Sequence, residues 1–521
     1  MHKLTLFIPA FLACFSLQSQ CPGNAFSKTI GGEGYDQGHS VSLAPDGGYF
    51  LGGITESAGF GDKDFIILKF SSNHSLQWGT VVGTEGTENG SFFCVTALSD
   101  GGVAFAGFEA TGNNNRQLIY GKLNSAGSLA WNKVLAPNSS VLDTPRAMAE
   151  TSSGDIIIVG TCNQYIASSD GFFLRMDSNG NVINSEVYGQ TGDDHFTGIT
   201  ELPNGNFAVY GSTEYLDPLG ATDPMICVFN GEGELLNTYV YTTFNAADQF
   251  TDIIHAEDGN LYATGYTAAN NVDSFIMKMD GNFEIEWAKN FGGSGTDRGS
   301  GIEFTEDGNI LVSSVANVSA SYQEVLVNQW DNQGALMWSK KFSFGEIDGM
   351  AFYGHPSLRF GSSNMLVVAY SDYADEDSDI MLYMLDECGN NGCAADLTPE
   401  ISNLNFDEET MSLQVVNLNN ISNGSLQAVG YNSMSIIKHC EHISTEDIVL
   451  ESGCPEGELF SILVYDAYGK LVFDGKTQED YLVWKSVTQR TLPGAVYSVV
   501  KQFHCAADSR VYRSTEKVFM H

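Results

Sequence analysis

Along this chain, apolar and polar residues alternate in short runs, and pairs of runs are separated by an acidic, amide or hydroxyl residue followed by glycine. HSVSLA (39–44) and YFLGGIT (49–55) stand on either side of Asp46-Gly47. The arrangement recurs at Asp100-Gly101, Ser153-Gly154, Asn204-Gly205, Asp258-Gly259 and Asp307-Gly308, and in degenerate form at Ser363-Asn364. Alternation with a period of two puts successive side chains on opposite faces of a strand. Asp-Gly or Asn-Gly between two such runs predicts a two-residue hairpin, in which both central residues take positive φ. A third run follows each hairpin: FIILKF (65–70), LIYGKL (118–123), FFLRMD (172–177), MICVFN (225–230), FIMKMD (275–280), VLVNQW (325–330) and IMLYML (380–385). After another turn comes a fourth, which opens near Trp78, Trp131, Trp287 or Trp338 in four of the copies.

Four antiparallel strands written seven times, at a spacing of about 50 residues, predict an all-β chain folded as a seven-bladed β-propeller with one repeat per blade. A single blade cannot cover both of its faces, so stacking around a ring must supply the core. The four Trp residues are then expected to pack between blades. FSKTIGG (26–32) is similar to the fourth-run segments SKKFSF (339–344) and AKNFGG (288–293), yet it precedes the first hairpin. It is predicted to supply the outer strand of the last blade and so join the two ends of the ring. The rhythm stops at CGNNGC (388–393). Residues 392–450 read as a β-rich connecting region without the blade pattern, and 451–521 as a small antiparallel β-sandwich. The expected organisation is an N-terminal segment 1–20, a propeller 21–391 and these two regions.

Composition adds an address. The 521 residues hold 64 Asp and Glu against 24 Lys and Arg, a formal net charge of −40. The acids are scattered, which describes a solvated folded surface and makes nucleic acid and anionic membranes poor partners. MHKLTLFIPAFLACFSLQSQ (1–20) has a basic start, an apolar run and small polar residues after it, the layout of a secretory signal peptide. The expectation is an exported protein, secreted or held on the outer cell surface. No other stretch approaches the roughly 20 apolar residues of a membrane span.

An acid precedes the first strand of every copy: Asp36, Glu88, Asp143, Asp194, Asp248, Asp297 and, less regularly, Asp348. Such carboxylates are expected to accept backbone N–H groups of the entry turn, which calls for no cofactor; the alternative is a negative funnel that holds a cation, with Ca²⁺ the candidate, or attracts a basic ligand. A second set, Asp64, Asp170, Asp223, Asp273 and Asp379, precedes the third strand, and Lys69, Arg175 and Lys278 near its end suggest ion pairs between blades. DYADEDSD (372–379) alternates oxygen ligands but lacks the Gly and terminal Glu of a calcium loop. Cys388 and Cys393 flank a turn short enough for a disulfide, whereas Cys94, Cys162 and Cys227 fall in strands as buried thiols. HCEH (439–442) with His504-Cys505 carries zinc-binding atoms, but strand alternation sends them to opposite faces. No nucleophile elbow, metal-binding helix motif or phosphate loop occurs. No residue is nominated as catalytic; Arg146 and His355, in the two copies that deviate most, mark where an active site would be sought.

Two resemblances follow from quoted stretches. GGSGTDRGSGI (292–302), DGGYFLGGIT (46–55) and DFIILKFSSNHSLQW (64–78) resemble the propeller repeats of secreted bacterial proteins. VYDAYGKLVFDG (464–475), LPGAVYS (492–498) and KVFMH (517–521), in that order at the chain end, resemble the C-terminal sorting domain of the type IX secretion system of Bacteroidota, gliding-associated proteins included. The chain departs from one subtype at Tyr468, where Trp is usual, and at Ala495-Val496, where Gly-Val is usual. The resemblance implies the type IX machinery as a partner and export across both membranes. The function expected is non-catalytic binding or adhesion to an extracellular glycan or protein. An extracellular hydrolase or lyase with its site at the propeller channel, and a passive surface spacer, are the alternatives.

Overall fold

The computed structural model describes residues 25–519 apart from 33, 85–86, 111–115, 136–143, 164–168, 217–219, 244–245, 269–271, 294, 320–321, 343–347, 350–356, 361–363, 374–376, 387, 391–394, 405–406, 412, 418–420, 424–426, 431–434, 440–457, 466–470, 476–495 and 505–510. Every regular element among the described residues is a β-strand. The first sheet is built in chain order from Asp36–Leu43, Tyr49–Thr55, Asp64–Phe70 and Leu76–Gly83, all antiparallel. Five further sheets repeat that order, starting from Thr87–Ala97, Thr144–Glu150, Asp194–Glu201, Gln249–His255 and Thr296–Phe304. These first strands pack against one another in succession. Four-stranded units stacked radially with their first strands toward a common centre are the blades of a β-propeller.

The packing explains why the second and third strands carry so little polar surface. Tyr49–Thr55 and Asp64–Phe70 are buried throughout. Phe50, Ile54, Phe65 and Ile67 join Val103, Phe105 and Ile119 of the second sheet in one cluster. Their alternates, Tyr49, Leu51, Ile66 and Leu68, join Ile380, Leu382 and Met384 in another. One strand therefore feeds two interfaces through its period of two.

A six-stranded sheet lies between the sixth sheet and the first. Its order is Asp348–Gly349, Asn364–Tyr373, Asp377–Leu385, Phe26–Gly31 and Ser435–His439, with Ser357–Phe360 beside Asn364–Tyr373. Phe26–Gly31 pairs antiparallel with Asp377–Leu385, from Phe26 opposite Met384 to Ile30 opposite Ile380. The strand expected to join the two ends of the repeat does so.

Three details depart from the sequence-based expectations. The hairpins use three loop residues: Gly47 N donates to Ala44 O (3.0 Å), and Ala44 N donates to Gly48 O (2.9 Å). Only the glycine takes positive φ, 79° at Gly47, while Asp46 accepts from Gly48 N at 2.9 Å. This is a type I turn closed by one left-handed residue. The basic residues pair within their own sheets: Lys69 with Asp46 (2.8 Å), Arg175 with Asp155 (2.6 Å) and Lys278 with Glu286 (2.7 Å). The stretch after the repeats, expected to connect two domains, runs back around the sheets and adds one outer strand to each. Ala395–Asp396 pairs with Leu336–Phe342, Glu400–Asn403 with Ile285–Gly292, and Asp407–Thr410 with Leu235–Thr242. Gln414–Asn417 pairs with Val182–Gly189, Ile421–Asn423 with Leu129–Leu135, Gln427–Gly430 with Leu76–Gly83, and Ser435–His439 with Phe26–Gly31. Beyond it, Glu458–Tyr465, Leu471–Gly475, Val496–His504 and Val511–Phe519 form one four-stranded antiparallel sheet; no second sheet packed on it is found among the described residues.

Candidate functional site at the first strands

The repeated acids sit where each first strand begins. Asp36, Asp194, Asp248 and Asp297 are almost completely buried. Asp36 accepts Gly32 N at 2.8 Å and the Ser57 hydroxyl at 2.7 Å. Asp194 accepts Gln190 N, and Asp297 accepts Gly293 N, each at 2.6 Å. Asp248 accepts Ala268 N at 3.1 Å and the Thr243 hydroxyl. The main-chain N–H groups of Asp194, Asp248 and Asp297 donate to Ser169, Thr222 and Val272 O, each one residue ahead of the preceding sheet's third strand. The carboxylates thus organise the entry turn while the backbone ties neighbouring sheets together. The Glu88 side chain and Asp143 lie outside the described residues, as does the Asp348 side chain.

The second set of acids faces the first across a glycine. A Cβ placed on Gly292 would stand 2.6 Å from Asp297 Oδ2 and 2.7 Å from Asp273 Oδ1. Gly189 lies in the same way between Asp170 and Asp194, and Gly31 between Asp379 and Asp36. Burial first, and then the neighbouring Asp170 and Asp193 charges, push the Asp194 carboxyl up to about 6 against its accepted hydrogen bonds. Asp248 and Asp297 are raised too, each chiefly by burial. Among the described residues no group of three or more His, Cys, Asp or Glu side chains is placed to hold a metal ion. Cys388 is disulfide-bonded; Cys393, its expected partner, lies outside the described residues. Cys94, Cys162 and Cys227 are buried free thiols.

Next to the repeated acids, the first strands stop repeating. Each of five carries a register shift at the same place, so that His39, Arg146, Thr197, Thr251 and Ser300 are inserted as bulge residues. Two are structural: Thr197 Oγ1 donates to Phe250 O (2.8 Å), and Thr251 Oγ1 to Gly299 O (3.0 Å), each reaching the next sheet's bulge. The residue directly after the acid differs from sheet to sheet. Gln37 bonds to the Tyr35 hydroxyl and lies 3.4 Å from His39 Nε2. His195 Nδ1 shares a 3.3 Å hydrogen bond with the Thr161 hydroxyl of the preceding sheet. Burial and the Arg146 charge lower its pKa to about 4, so it is a neutral imidazole at physiological pH. Gln249 accepts from the Tyr266 hydroxyl at 2.8 Å, and Arg298 of the next sheet lies over the Tyr266 ring at 4.7 Å. The result is a set of unlike hydrogen-bonding groups on a repeated frame, suited to recognising an asymmetric polar ligand. Sequence reasoning singled out Arg146 but missed Gln37, His195, Gln249 and Arg298. The signal was present: they are the variable position beside an invariant acid. His355 lies outside the described residues, as do residues 374–376 of the acidic run and Cys440, Glu441 and His442 of the HCEH stretch.

No family model and no curated protein matches the chain. Among solved structures, it is similar to a protein of unknown function from Dyadobacter fermentans (10% identity, TM-score 0.42), covering 70% of this chain and 98% of that one. A puromycin hydrolase shares 12% identity at TM-score 0.42, covering 69% of this chain and 53% of its own. Sqt1 of Chaetomium thermophilum, solved bound to the N-terminus of ribosomal protein L10, shares 12% identity at TM-score 0.35 over 68% of this chain and 98% of its own.

Proposed function

We propose that this chain is an exported, non-catalytic propeller that binds an extracellular glycan or polypeptide through the variable groups at the start of its first strands. The observation that carries the reading is the contrast at neighbouring positions. The repeated acid is absorbed by the entry turn, whereas the next residue is Gln37, His195, Gln249 or Arg298: His195 and Arg298 reach the preceding sheet, and Gln37 and Gln249 bond within their own. The acid makes the same turn contact in the first, fourth and sixth sheets, and the position beside it offers a different hydrogen-bonding group in each, which is what recognition of an asymmetric ligand requires.

In this reading the six-stranded sheet is the seventh blade. The signal-like N-terminus and the sorting-like segments at 464–475, 492–498 and 517–521 carry the protein out through the type IX machinery to the cell surface, with the C-terminal sheet as part of a β-sandwich. The hydrolase reading has one observation in its favour: burial pushes the Asp194 carboxyl up to about 6, into the range a general acid uses, but the side chain is held in the entry turn and buried from solvent. The test is to screen the purified protein against neutral and acidic extracellular polysaccharides and peptides for both binding and product release. Binding without product supports the proposal, and product formation abolished by Asp194→Asn replaces it with the hydrolase.

A further inference from the structure

The short strands between residues 395 and 439 make the same move at seven of the eight sheets, visiting the sixth, fifth, fourth, third, second and first, and finally the six-stranded one. Their contacts are periodic. Leu397, Leu404 and Met411, seven residues apart, donate their backbone N–H to Ser339 O (3.0 Å), Ala288 O (3.1 Å) and Thr238 O (3.3 Å). The acceptors occupy one equivalent place on three outer strands; two of them directly follow Trp338 and Trp287. Leu404 packs against the cluster holding Phe283 and Ala288, and Met411 and Leu413 against the cluster holding Tyr188 and Phe229. In sequence the apolar series continues at Leu418, Leu426 and Met434. The last strand, Ser435–His439, lies on Phe26–Gly31, which is held from its other side by Asp377–Leu385.

We propose that the outer edges of these sheets are a strand-accepting surface, and that residues 395–439 are a belt that fills it in cis and locks the ring. A propeller opens where its first and last repeats meet, and the strand at that junction is clamped between the repeat and the belt. The belt also covers edges whose unpaired N–H and C=O groups would template pairing with another chain. The segment that fits those edges when they are vacated is the belt of a second copy, with its apolar residue every seven or eight positions, so loss of the cis contact leads to strand-exchanged oligomers.

The experiment uses the full chain. Leu404→Pro with Met411→Pro removes two of the donated N–H groups, and Leu404→Ala with Met411→Ala keeps them. The proline pair should raise amide exchange in Leu235–Thr242 and Ile285–Gly292 by about tenfold or more and shift the protein toward larger species in light scattering; the alanine pair should do markedly less of both. Native protection of the two outer strands and an unchanged size in the proline pair would overturn the proposal. If that variant does not fold, the unmodified chain decides. Slow exchange at the amides of Leu397, Leu404 and Met411, matching the strands they cap, supports the belt, and exchange at the rate of an unstructured segment overturns it.

Discussion

Asp194 shows how a residue can be repeated for structural reasons and still carry a measurable signature. Its carboxyl titrates near 6 in the folded chain against an ordinary 3.8, so between those values the native state binds more protons than the unfolded one. Stability from this group is present in full below about pH 4 and falls as pH rises through 6, by at most about 3 kcal/mol at roughly 1.4 kcal/mol per unit. Asp194→Asn, which still accepts Gln190 N–H, should flatten that part of the profile; urea midpoints measured from pH 4 to pH 7, with an unflattened slope as the contrary result, check it. Gly292→Ala should cost about 1–3 kcal/mol by crowding two carboxylates, whereas the same change at Gly259, which has nothing near its Cβ position, should cost only the strain of its positive φ. Comparing the two denaturation midpoints separates crowding from backbone strain. Cys94, Cys162 and Cys227 are buried, and burial raises the thiols of Cys94 and Cys227. They should resist alkylation in the native protein and react on unfolding. Of the residue-scale picture, the acids and buried thiols were legible because they repeat or fall in apolar runs. His195 and Arg298 do not repeat: their position is marked only by changing from copy to copy beside a constant acid, a signal that looking for what repeats passes over.

At the scale of elements, the Trp residues do what their placement suggested, with a geometry that spacing alone does not give. Trp78 Nε1 donates to Ser125 O (3.2 Å), and Trp131 Nε1 to Ser178 O (3.1 Å), each in the next sheet's last turn. Gly127 and Gly180, both at positive φ, lie against the respective indoles. Trp131→Phe should therefore lose about 1 kcal/mol for the hydrogen bond, and Trp131→Ala about 3 kcal/mol as packing goes too; equal losses in chemical denaturation would mean that the indole N–H contributes nothing. Strand order was readable because every copy alternates and turns at the same points. The turn type was not, since Asp-Gly fits both two- and three-residue loops, and the choice rests on whether the residue before glycine must also take positive φ. The belt escaped notice because its strands are two to five residues long and repeat at seven or eight residues, far from the repeat length of the blades.

For the whole molecule, a formal charge of −40 means that the folded state works against its own repulsion. Raising ionic strength from about 0.01 to about 0.15 M shortens the screening length from about 30 to about 8 Å, and the melting temperature should rise with it. A fall would show that attractive pairs such as Lys69–Asp46 and Arg175–Asp155 outweigh the repulsion. The same field keeps anionic partners away in general, so selectivity for any ligand has to come from local hydrogen bonding at the first strands. The most direct measurement of that claim is calorimetric titration of the unmodified chain, His195→Ala and Arg298→Ala with the polysaccharide or peptide that binds in the screen, with product analysis of each mixture. The account predicts saturable binding without turnover, weakened about tenfold or more in both variants while their melting temperatures stay near native, since a lost polar contact of this kind is worth about 1–3 kcal/mol. Unchanged affinity in both variants, or release of product, would contradict it.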